Sequence, residues 1–480
     1  MGANTGAVNI MRYISTRGHA PLLGFEEATL TGLAPDGGLY VPETWPALGA
    51  ADIEALSGLS FAETAVRILE PFVAGSLTRA ELAGLCEKAW SRFTHPAVTP
   101  VLQLDQRQYL LELFHGPTLA FKDVALQFLG LLFERFLAKG DQQLTIVGAT
   151  SGDTGSAAIQ AMADRAHVDI FMLHPKGRIS EVQRRQMTTV LAPNVHNIAI
   201  EGDFDAAQTL VKAMFNDTAF SARFQLAAVN SINWARLAVQ IVYYFYAAVR
   251  LGAPYREVAF SVPTGNFGDV YAGYVAKKMG LPIARLIVAT NVNDILHRAL
   301  SEGDYSACAA TPTASPSMDI QVSSNFERLL FDLYHRDSAV LIRSMQGFEA
   351  DRRMALSKEV RELAAADFTS ARIDHSAMTD AMRWAYEGGQ IIDPHTAVGL
   401  AAARSSDLPE NVPIITLATA HPAKFRDAVA AALGVEPECP APIAGLMGME
   451  ERSVTLPATF DAVTQYIGAH AEARHAAMAF

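Results

Sequence analysis

The sequence contains few cysteines. Among its 480 residues only three are cysteines, Cys86, Cys308 and Cys439, and they stand far apart in the chain without a CxxC pair. Disulfide frameworks and structural zinc sites show closely spaced or paired cysteines, so we expect neither, and no metal. The scarcity is typical of a protein that resides in a reducing cytoplasm.

Long apolar runs and an excess of positive charge are missing as well. The most apolar stretch, Leu237–Val249, contains Gln240 and is too short to cross a bilayer, so it predicts a buried helix. The first residues lack the apolar core of a secretory signal peptide. With 38 Lys and Arg against 50 Asp and Glu, the net charge of −12 argues against a nucleic-acid partner, although a pocket for a small anion sets its own local potential. We therefore expect a cytoplasmic protein that binds neither membranes nor nucleic acid.

The distribution of apolar segments predicts an α/β fold. Strand-like segments alternate with helices from about residue 100 to 430, which is typical of mostly parallel sheets covered by helices on both faces. Ligands of such sheets bind at the carboxyl ends of the strands. The predicted strands are Tyr109–Leu113, Leu144–Val147, Val168–Leu173, Val258–Val262, Ala284–Thr290 and Ile414–Leu417, and the predicted helices are Asp123–Ala138, Ala157–Ala163 and Val270–Met279.

Turn and linker signals divide the chain into three predicted parts. The first part, residues 1–98, contains a Pro-Asp-Gly-Gly turn at 35–38 and ends at a linker that carries two prolines within five residues. The second part, residues 99–430, is the core of alternating strands and helices. The third, residues 431–480, is a C-terminal extension whose pattern favours no particular structure.

The motif HGPTLAFKD, residues 115–123, brings a lysine to the start of an apolar helix. A cation opposes the helix dipole at this position, which makes it unfavourable for a lysine with a purely structural role. Phe121 and the apolar residues after Asp123 indicate that Lys122 is buried. A desolvated lysine has a lowered pKa and is a good Schiff-base nucleophile; a surface lysine is the alternative.

Two glycine-rich loops follow predicted strands and open helices. In GATSGDTGS, residues 148–156, backbone amides could cradle an anion, and a well-capped turn fits equally well. The motif PTGNFGD, residues 263–269, has the same placement, and two such loops on one sheet favour a phosphate-bearing ligand. The glycine spacing does not match the dinucleotide fingerprint, and no Gly-Lys-Ser/Thr follows as in a P-loop.

A fourth motif, TLATAHPAKF, residues 416–425, follows the last predicted strand. Thr419 could present its hydroxyl to a ring nitrogen, although taken alone the segment fits a helix cap before Pro422 better. Together the four motifs offer a lysine for an imine, a nest for a cofactor phosphate, a nest for a substrate carboxylate and a hydroxyl for a pyridine nitrogen. This set describes a pyridoxal-phosphate site.

These motifs, in this order, resemble the threonine synthase family in its bacterial and fungal branch. The N-terminal segments YISTRG, residues 13–18, and GLAPDGGLYVP, residues 32–42, match the opening of that family, and the likeness runs from about residue 12 to about 455. The resemblance implies the two-lobed fold type II of pyridoxal-phosphate enzymes with an N-terminal accessory domain. It also implies a carbon–oxygen lyase that converts O-phospho-L-homoserine and water to L-threonine and phosphate, as a monomer or a homodimer.

The resemblance also implies roles for individual residues. Lys122 should form the Schiff base and shuttle protons, Thr419 should face the pyridine nitrogen, and Asp269 should accept loop N–H groups or cap the next helix. The cofactor phosphate should lie in the loop Gly265, Asn266, Phe267, Gly268 and Asp269, and the substrate carboxylate in the loop Ser151, Gly152, Asp153 and Thr154.

Other polar residues are assigned less closely by their motifs. Asn230, Asn233 and Arg236 are expected near the substrate, although polar positions of a packed helix fit them about as well. The candidate cations for the substrate phosphate are Lys424, Arg236 and Arg184 or Arg185, and each taken singly also fits a surface or structural charge.

Three alternative functions stay open at this point. The nearest is another pyridoxal-phosphate lyase of the same fold, either a serine/threonine dehydratase or a phospholyase; the long N-terminal unit and PTGNFGD argue against a dehydratase. An NAD- or ATP-dependent enzyme is disfavoured because the fingerprints are absent. A catalytically silent binding protein is disfavoured by the intact lysine motif.

Overall fold

The computed structural model describes residues 10–140 and 142–478, so the outermost residues of the predicted first and last parts, 1–9 and 479–480, lie outside the described residues. The strands are β1 Tyr13–Ser15, β2 Tyr40–Pro42, β3 Val101–Gln103, β4 Gln108–Glu112, β5 Leu144–Ala149, β6 Val168–Pro175, β7 Val195–Glu201, β8 Leu226–Ala227, β9 Val258–Pro263, β10 Ile283–Thr290, β11 Asp304–Ser306, β12 Arg353–Ala355, β13 Phe368–Arg372, β14 Ile414–Ala418 and β15 Val454–Pro457.

The helices alternate with these strands along most of the chain. They are α1 Phe25–Thr31, α2 Ala50–Glu54, α3 Phe61–Val73, α4 Arg79–Trp90, α5 Lys122–Leu137, α6 Asp153–Met162, α7 Glu181–Thr188, α8 Phe204–Asn216, α9 Thr218–Phe224, α10 Trp234–Arg250, α11 Gly268–Lys278, α12 Ile295–Ser301, α13 Phe326–Leu333, α14 Ser338–Asp351, α15 Lys358–Ala365, α16 His375–Glu387, α17 Pro394–Arg404, α18 Arg426–Leu433, α19 Ala441–Ala444 and α20 Phe460–Met478. Short 3₁₀ helices occupy Pro316–Met318, Pro422–Phe425 and Gly445–Gly448.

Two mostly parallel sheets form the two lobes. The larger sheet has the order β13-β10-β9-β14-β4-β3, in which only the edge pair β3–β4 is antiparallel. The smaller sheet has the order β15-β7-β6-β5-β8 and is parallel throughout. The predicted α/β fold is confirmed, and each predicted strand and helix overlaps an element of the structure.

Burial explains why these segments form parallel strands. Every residue of β6 and of β9 is buried, as expected for strands covered by helices on both faces. The predicted apolar helix is α10, which is buried from Trp234 to Ala248 and lies in the main core. Across the described ranges, no helix is both long and apolar enough to span a membrane.

The residues after 431 add an edge strand to the smaller sheet. Strand β15 pairs in parallel with β7, and α20 packs Val463 and Ile467 against the core of the same lobe. The pattern of β15 alternates between half-buried and exposed positions, which explains why its sequence gives no strong signal. The boundaries at residues 98 and 430 stay predictions.

The N-terminal part is fixed to the core by aromatic packing and by one buried cation. Phe61 of α3 contacts Trp90 of α4, whose indole N–H donates to Val124 O of α5 at 2.9 Å. The fully buried Arg328 of α13 donates to Tyr40 O at 2.9 Å and also to the side chain of Asn325. Because its N–H groups donate to these oxygens, Arg328 links β2 to the segment beside the second glycine-rich loop.

Helices α5 and α6 approach each other unusually closely. A Cβ placed on Gly130 of α5 would lie 2.4 Å from the carbonyl oxygen of Ala161 in α6. Lys122 is the first residue of α5 and Asp153 is the first residue of α6. The glycine therefore sets the spacing between the two helix N-termini that carry these side chains.

We expect Gly130→Ala to destabilise the protein by about 1–3 kcal/mol, since the methyl group meets backbone that cannot rotate away. The matched control is Gly84→Ala in the exposed part of α4, where an added Cβ meets nothing within 4 Å. That variant should be stabilised by about 0.5–1 kcal/mol because alanine loses less backbone entropy in a helix. Thermal unfolding midpoints measure both changes, and equal midpoints for the two variants would contradict the role given to Gly130.

Candidate active site

The loop that leads to Lys122 at the start of α5 is held in place by contacts with Asp123, the residue after the lysine. After β4 the chain turns at Gly116, where a Cβ would lie 2.4 Å from the Cβ of Asp123. The Thr118 N–H and hydroxyl donate to the Asp123 carboxylate at 2.7 and 2.8 Å. Burial raises the pKa of Asp123 to about 6 in spite of these hydrogen bonds. Lys122 is only 7% exposed, so the predicted burial of this lysine is confirmed.

The Asp153 carboxylate lies between two lysines. Its Oδ2 is 3.5 Å from Lys122 Nζ, and its Oδ1 is 2.8 Å from Lys424 Nζ. Burial by itself would raise the pKa of Asp153, but the two lysines hold it well below its ordinary value. Burial lowers the pKa of Lys122, and Asp153 opposes that change. The structure thus brings together residues of three motifs that are far apart in the sequence.

The PTGNFGD loop presents free backbone amides at the start of α11. Phe267 has φ 63°, in the left-handed region, and serves as the N-cap residue without a side-chain hydrogen bond. No acceptor in the described chain bonds the N–H groups of Asn266, Phe267, Gly268 and Asp269. A Cβ on Gly265 would lie 2.9 Å from Ser317 O, so the loop packs too closely for a larger residue. Unpaired amides at a helix N-terminus suit a phosphate.

Asp269 has different hydrogen-bond partners from those expected for it. Its carboxylate accepts hydrogen bonds from the hydroxyls of Tyr243 and Tyr244, at 3.0 Å in the case of Tyr244, and it caps no loop N–H group. Two adjacent phenols buried in α10 need an acceptor, and the α10–α11 packing brings this one to them. Its Oδ2 is buried and has no partner among the described residues, and burial raises the pKa of Asp269 to about 6.

The GATSGDTGS loop combines the two arrangements considered for it, a capped turn and a set of backbone amides that could bind an anion. The Thr150 hydroxyl accepts from Gly152 N–H at 3.0 Å and from Gly155 N–H at 2.9 Å, which caps part of the α6 N-terminus. The N–H groups of Ser151, Asp153 and Thr154 find no acceptor in the part of the chain that the structure describes. Because the Asp153 carboxylate faces the lysines, its backbone N–H is the part of that residue suited to an anion.

Thr419 lies beside the lysine loop. Its carbonyl oxygen accepts from Phe121 N–H at 2.8 Å, and Ala120 pairs with Ala420 across the same junction. These bonds place Thr419 next to the residue that precedes Lys122. Its hydroxyl is not engaged with any described residue, whereas the cap predicted before Pro422 is made by His421, which accepts from Ala423 N–H at 3.1 Å.

In the segment around residue 233, Asn233 caps a helix and Arg236 supplies a buried cation. Asn233 accepts from Ala235 N–H at 3.0 Å and donates to Thr29 O at 2.9 Å, so its role is to begin α10. Asn230 is exposed and holds only its own turn. Arg236 is buried, donates to Val229 O at 2.8 Å, and has an Nε without a partner in the described chain. Burial lowers the pKa of Arg236 to about 10.

The other candidate cations already have carboxylate partners. Arg184 and Arg185 both pair with Glu451, the latter at 3.4 Å, and Lys424 pairs with Asp153. Within the described ranges Arg236 makes no salt bridge with a carboxylate. Of the four cations, Arg236 is therefore the best placed to meet an incoming anion.

Two groups of site residues have no counterpart in the sequence-based prediction. On α7, Gln183 donates to Asp153 Oδ1 at 2.9 Å and Gln186 donates to Thr118 O at 3.0 Å. Their i, i+3 spacing puts both on one face of the helix, and it is the sequence signal that could have identified them. At the start of α17, His395 Nδ1 lies 2.8 Å from Asp393 Oδ1, and its Nε2 accepts from Ser317 N–H at 3.2 Å. Since Ser317 O packs against Gly265, this pair supports the phosphate-type loop.

Comparison with protein-family models matches nearly the whole chain. Residues 12–90 match "Threonine synthase N terminus", residues 93–367 match "Pyridoxal-phosphate dependent enzyme", and residues 396–467 match "Threonine synthase, C-terminal". Among curated proteins, the chain is 51% identical over 462 residues to threonine synthase from Pseudomonas aeruginosa, covering 96% of this chain and 98% of that protein.

Solved structures give the same result. The pyridoxal-phosphate-bound threonine synthase from Brucella melitensis superposes with a TM-score of 0.93 at 49% identity, covering 96% of this chain and 99% of that chain. Threonine synthase from yeast superposes with a TM-score of 0.91 at 40% identity, covering 98% of this chain and 99% of that chain. The protein described here therefore belongs to the threonine synthase family of pyridoxal-phosphate-dependent enzymes.

Proposed function

We propose that this enzyme converts O-phospho-L-homoserine and water to L-threonine and phosphate, with Lys122 as its Schiff-base residue. The observation that carries the proposal is the buried Lys122 amine 3.5 Å from Asp153, at the junction of the motifs that supply an amide loop and a free hydroxyl. The matches to N- and C-terminal threonine synthase segments favour this reaction over a dehydratase or phospholyase of the same fold.

The residues of the site suit pyridoxal phosphate. The lowered pKa of Lys122, caused mainly by burial, leaves its amine available to bond an aldehyde carbon. The free N–H groups from Asn266 to Asp269 suit the phosphate, and the Thr419 hydroxyl suits the pyridine nitrogen. Because the Thr419 hydroxyl is neutral, it would not stabilise a proton on that nitrogen as a carboxylate would. When bound, the cofactor acts as an electron sink for the substrate carbon next to the amine.

Lys122 is also the group placed to move protons. Its Nζ would take the proton from Cα and, after passing that proton on, the proton from Cβ, so that phosphate can leave from Cγ. The protonated Nζ would then return a proton to Cγ, water would add its hydroxyl at Cβ and give its other proton to the phosphate, and Cα would regain a proton. Asp153 and Lys424 keep the Lys122 chain oriented through these steps, because the Asp153 carboxylate contacts both amines.

The substrate's two anionic groups meet different parts of the site. Its carboxylate fits the loop Ser151, Gly152, Asp153 and Thr154, where three amides at the start of α6 have no acceptor in the described part of the chain. Its phosphate fits the Arg236 guanidinium, whose Nε has no partner among the described residues, with Asn230 at the exposed edge. A buried cation without its anion is costly, so this site rejects unphosphorylated homoserine.

We further propose that the enzyme acts in the cytoplasm as a monomer or a homodimer, without a membrane or nucleic-acid partner. Support comes from the free thiols of Cys86, Cys308 and Cys439 and from the acidic net charge of −12.

The reaction is tested by incubating the purified holoenzyme with O-phospho-L-homoserine. We expect phosphate and threonine in equal amounts, and Lys122→Ala should lose both products together with the Schiff-base absorbance, because both depend on the Lys122 amine. Unphosphorylated homoserine and threonine serve as comparison substrates. Deamination of threonine without phosphate release from the phosphorylated substrate would instead establish a dehydratase.

The phosphate loop is tested by Gly265→Ala. The added methyl group meets Ser317 O at 2.9 Å and should displace the loop, which raises the Kd for pyridoxal phosphate by about tenfold or more. Cofactor titration of the apoenzyme, followed by absorbance, measures this change. The control is Gly347→Ala in α14, where a Cβ meets nothing within 4 Å and the Kd should stay at the wild-type value. An unchanged Kd for Gly265→Ala would place the phosphate elsewhere.

A further inference from the structure

Asp153 is a shared carboxylate, and its two oxygens have different partners. Oδ1 accepts from Lys424 Nζ at 2.8 Å and from Gln183 Nε2 at 2.9 Å. Oδ2 faces Lys122 Nζ alone at 3.5 Å. The two donors on Oδ1 fix the rotation of the carboxylate, so the oxygen directed at Lys122 is held in place by Lys424 and Gln183.

Lys424 is an unusual lysine because its side chain has no exposed surface. Besides Asp153 it donates to Thr118 O at 2.7 Å, a carbonyl that also accepts from Gln186 Nε2 at 3.0 Å. A fully desolvated ammonium is costly unless it is paired and hydrogen-bonded. Among the described residues, Lys424 meets this condition through Asp153 and Thr118, both of which belong to the site.

Four charged side chains and one aromatic ring lie near Lys122. Asp153 comes from α6, Lys424 from the 3₁₀ helix after β14, Arg236 from α10 and Asp269 from α11. The Phe121 ring lies 4.9 Å from Lys122 Nζ. Asp153 is the carboxylate in salt-bridge distance of Lys122 among the described residues, and Lys424 neutralises part of its charge.

We infer that Lys424 is a positioning residue that sets the protonation of the Lys122 nitrogen by sharing Asp153 with it. The inference rests on the proposed role of Lys122 as the Schiff-base residue. It assigns to Lys424 a role in tuning the Lys122 base, where the sequence had offered it as a clamp for the substrate phosphate.

The arrangement serves both states of Lys122. As a Schiff-base nitrogen it must hold a proton, and Asp153 Oδ2 favours that proton. As the released amine it must give the proton up to act as a base, and a full negative charge at Asp153 would retain it. Lys424 reduces the attraction of the Asp153 carboxylate for the Lys122 proton, so the released amine can act as a base. Asp153 still stays ionised, so it can hold the proton on the Schiff-base nitrogen.

The test is a pH titration of the visible Schiff-base absorbance in the holoenzyme without substrate. Lys424→Met should move the titration midpoint upward by about one pH unit, because Asp153 then acts on Lys122 alone. Asp153→Asn should move it downward by a similar amount, and Lys424→Arg should stay close to wild type. The control is Lys358→Met, which removes a lysine whose side chain is 82% exposed and should leave the midpoint unchanged.

Opposite shifts in the two variants support the inference, and no shift or a shift in the same direction overturns it. Should Lys424→Met fail to fold, Lys424→Gln replaces it, and a Lys424→Gln midpoint equal to wild type counts against the inference. Absence of a Schiff base in the wild-type protein would instead refute the proposed role of Lys122. An intact titration without threonine formation would refute only the proposed reaction.

Discussion

The contact on which the site depends is a buried carboxylate held between two buried lysines. Asp153, Lys122 and Lys424 come from the N-terminus of α6, the N-terminus of α5 and the segment after β14. Removing one partner of such a cluster leaves an uncompensated charge away from water, which is strongly destabilising. The lobes must therefore keep these three elements in register, and the tight α5–α6 contact at Gly130 and the Gln186–Thr118 hydrogen bond serve this requirement.

Around this cluster the site is built mainly from backbone. Amides at the start of α6 and α11 find no acceptor among residues 10–140 and 142–478, while the side chains nearby shape the loops that carry them. His395 supports the turn at Ser317, which packs on Gly265, and Asn325 donates to Asn266 O at 3.1 Å. Arg328 then connects Asn325 to Tyr40 O, so the N-terminal part contributes to the rigidity of this loop.

Much of this fold is legible in the sequence because the central strands are continuous apolar runs. Strands such as β6 and β9, and helix α10, are buried along nearly their full length and leave an unambiguous pattern. Strand β15 does not, since it is an edge strand with alternating exposure and ends at a proline. The lysine and the amide loops were also predictable, because their local chemistry is complete within each motif.

What the sequence could not provide is pairing between distant residues. The acceptor that Tyr243 and Tyr244 find at Asp269 depends on the packing of α10 against α11, and the partnership of Lys424 with Asp153 depends on the apposition of the two lobes. No spacing rule within one motif encodes either contact. The same is true of Arg184 and Arg185, which the sequence offers as candidates for the substrate phosphate and which pair with Glu451 in the structure.

The order of strands in the larger sheet has a consequence for how the protein is made. Strand β14 lies between β4 and β9, both of which leave the ribosome well before it. Until residues 414–418 emerge, β4 and β9 have no common neighbour and the centre of the sheet is open. Pairings of such long sequence separation form slowly. Because Thr419 and Lys424 follow directly after β14, the insertion that closes the sheet also delivers the last polar groups of the site. A nascent chain therefore carries Lys122 and Asp153 for most of its synthesis without the Lys424 amine that completes their contact.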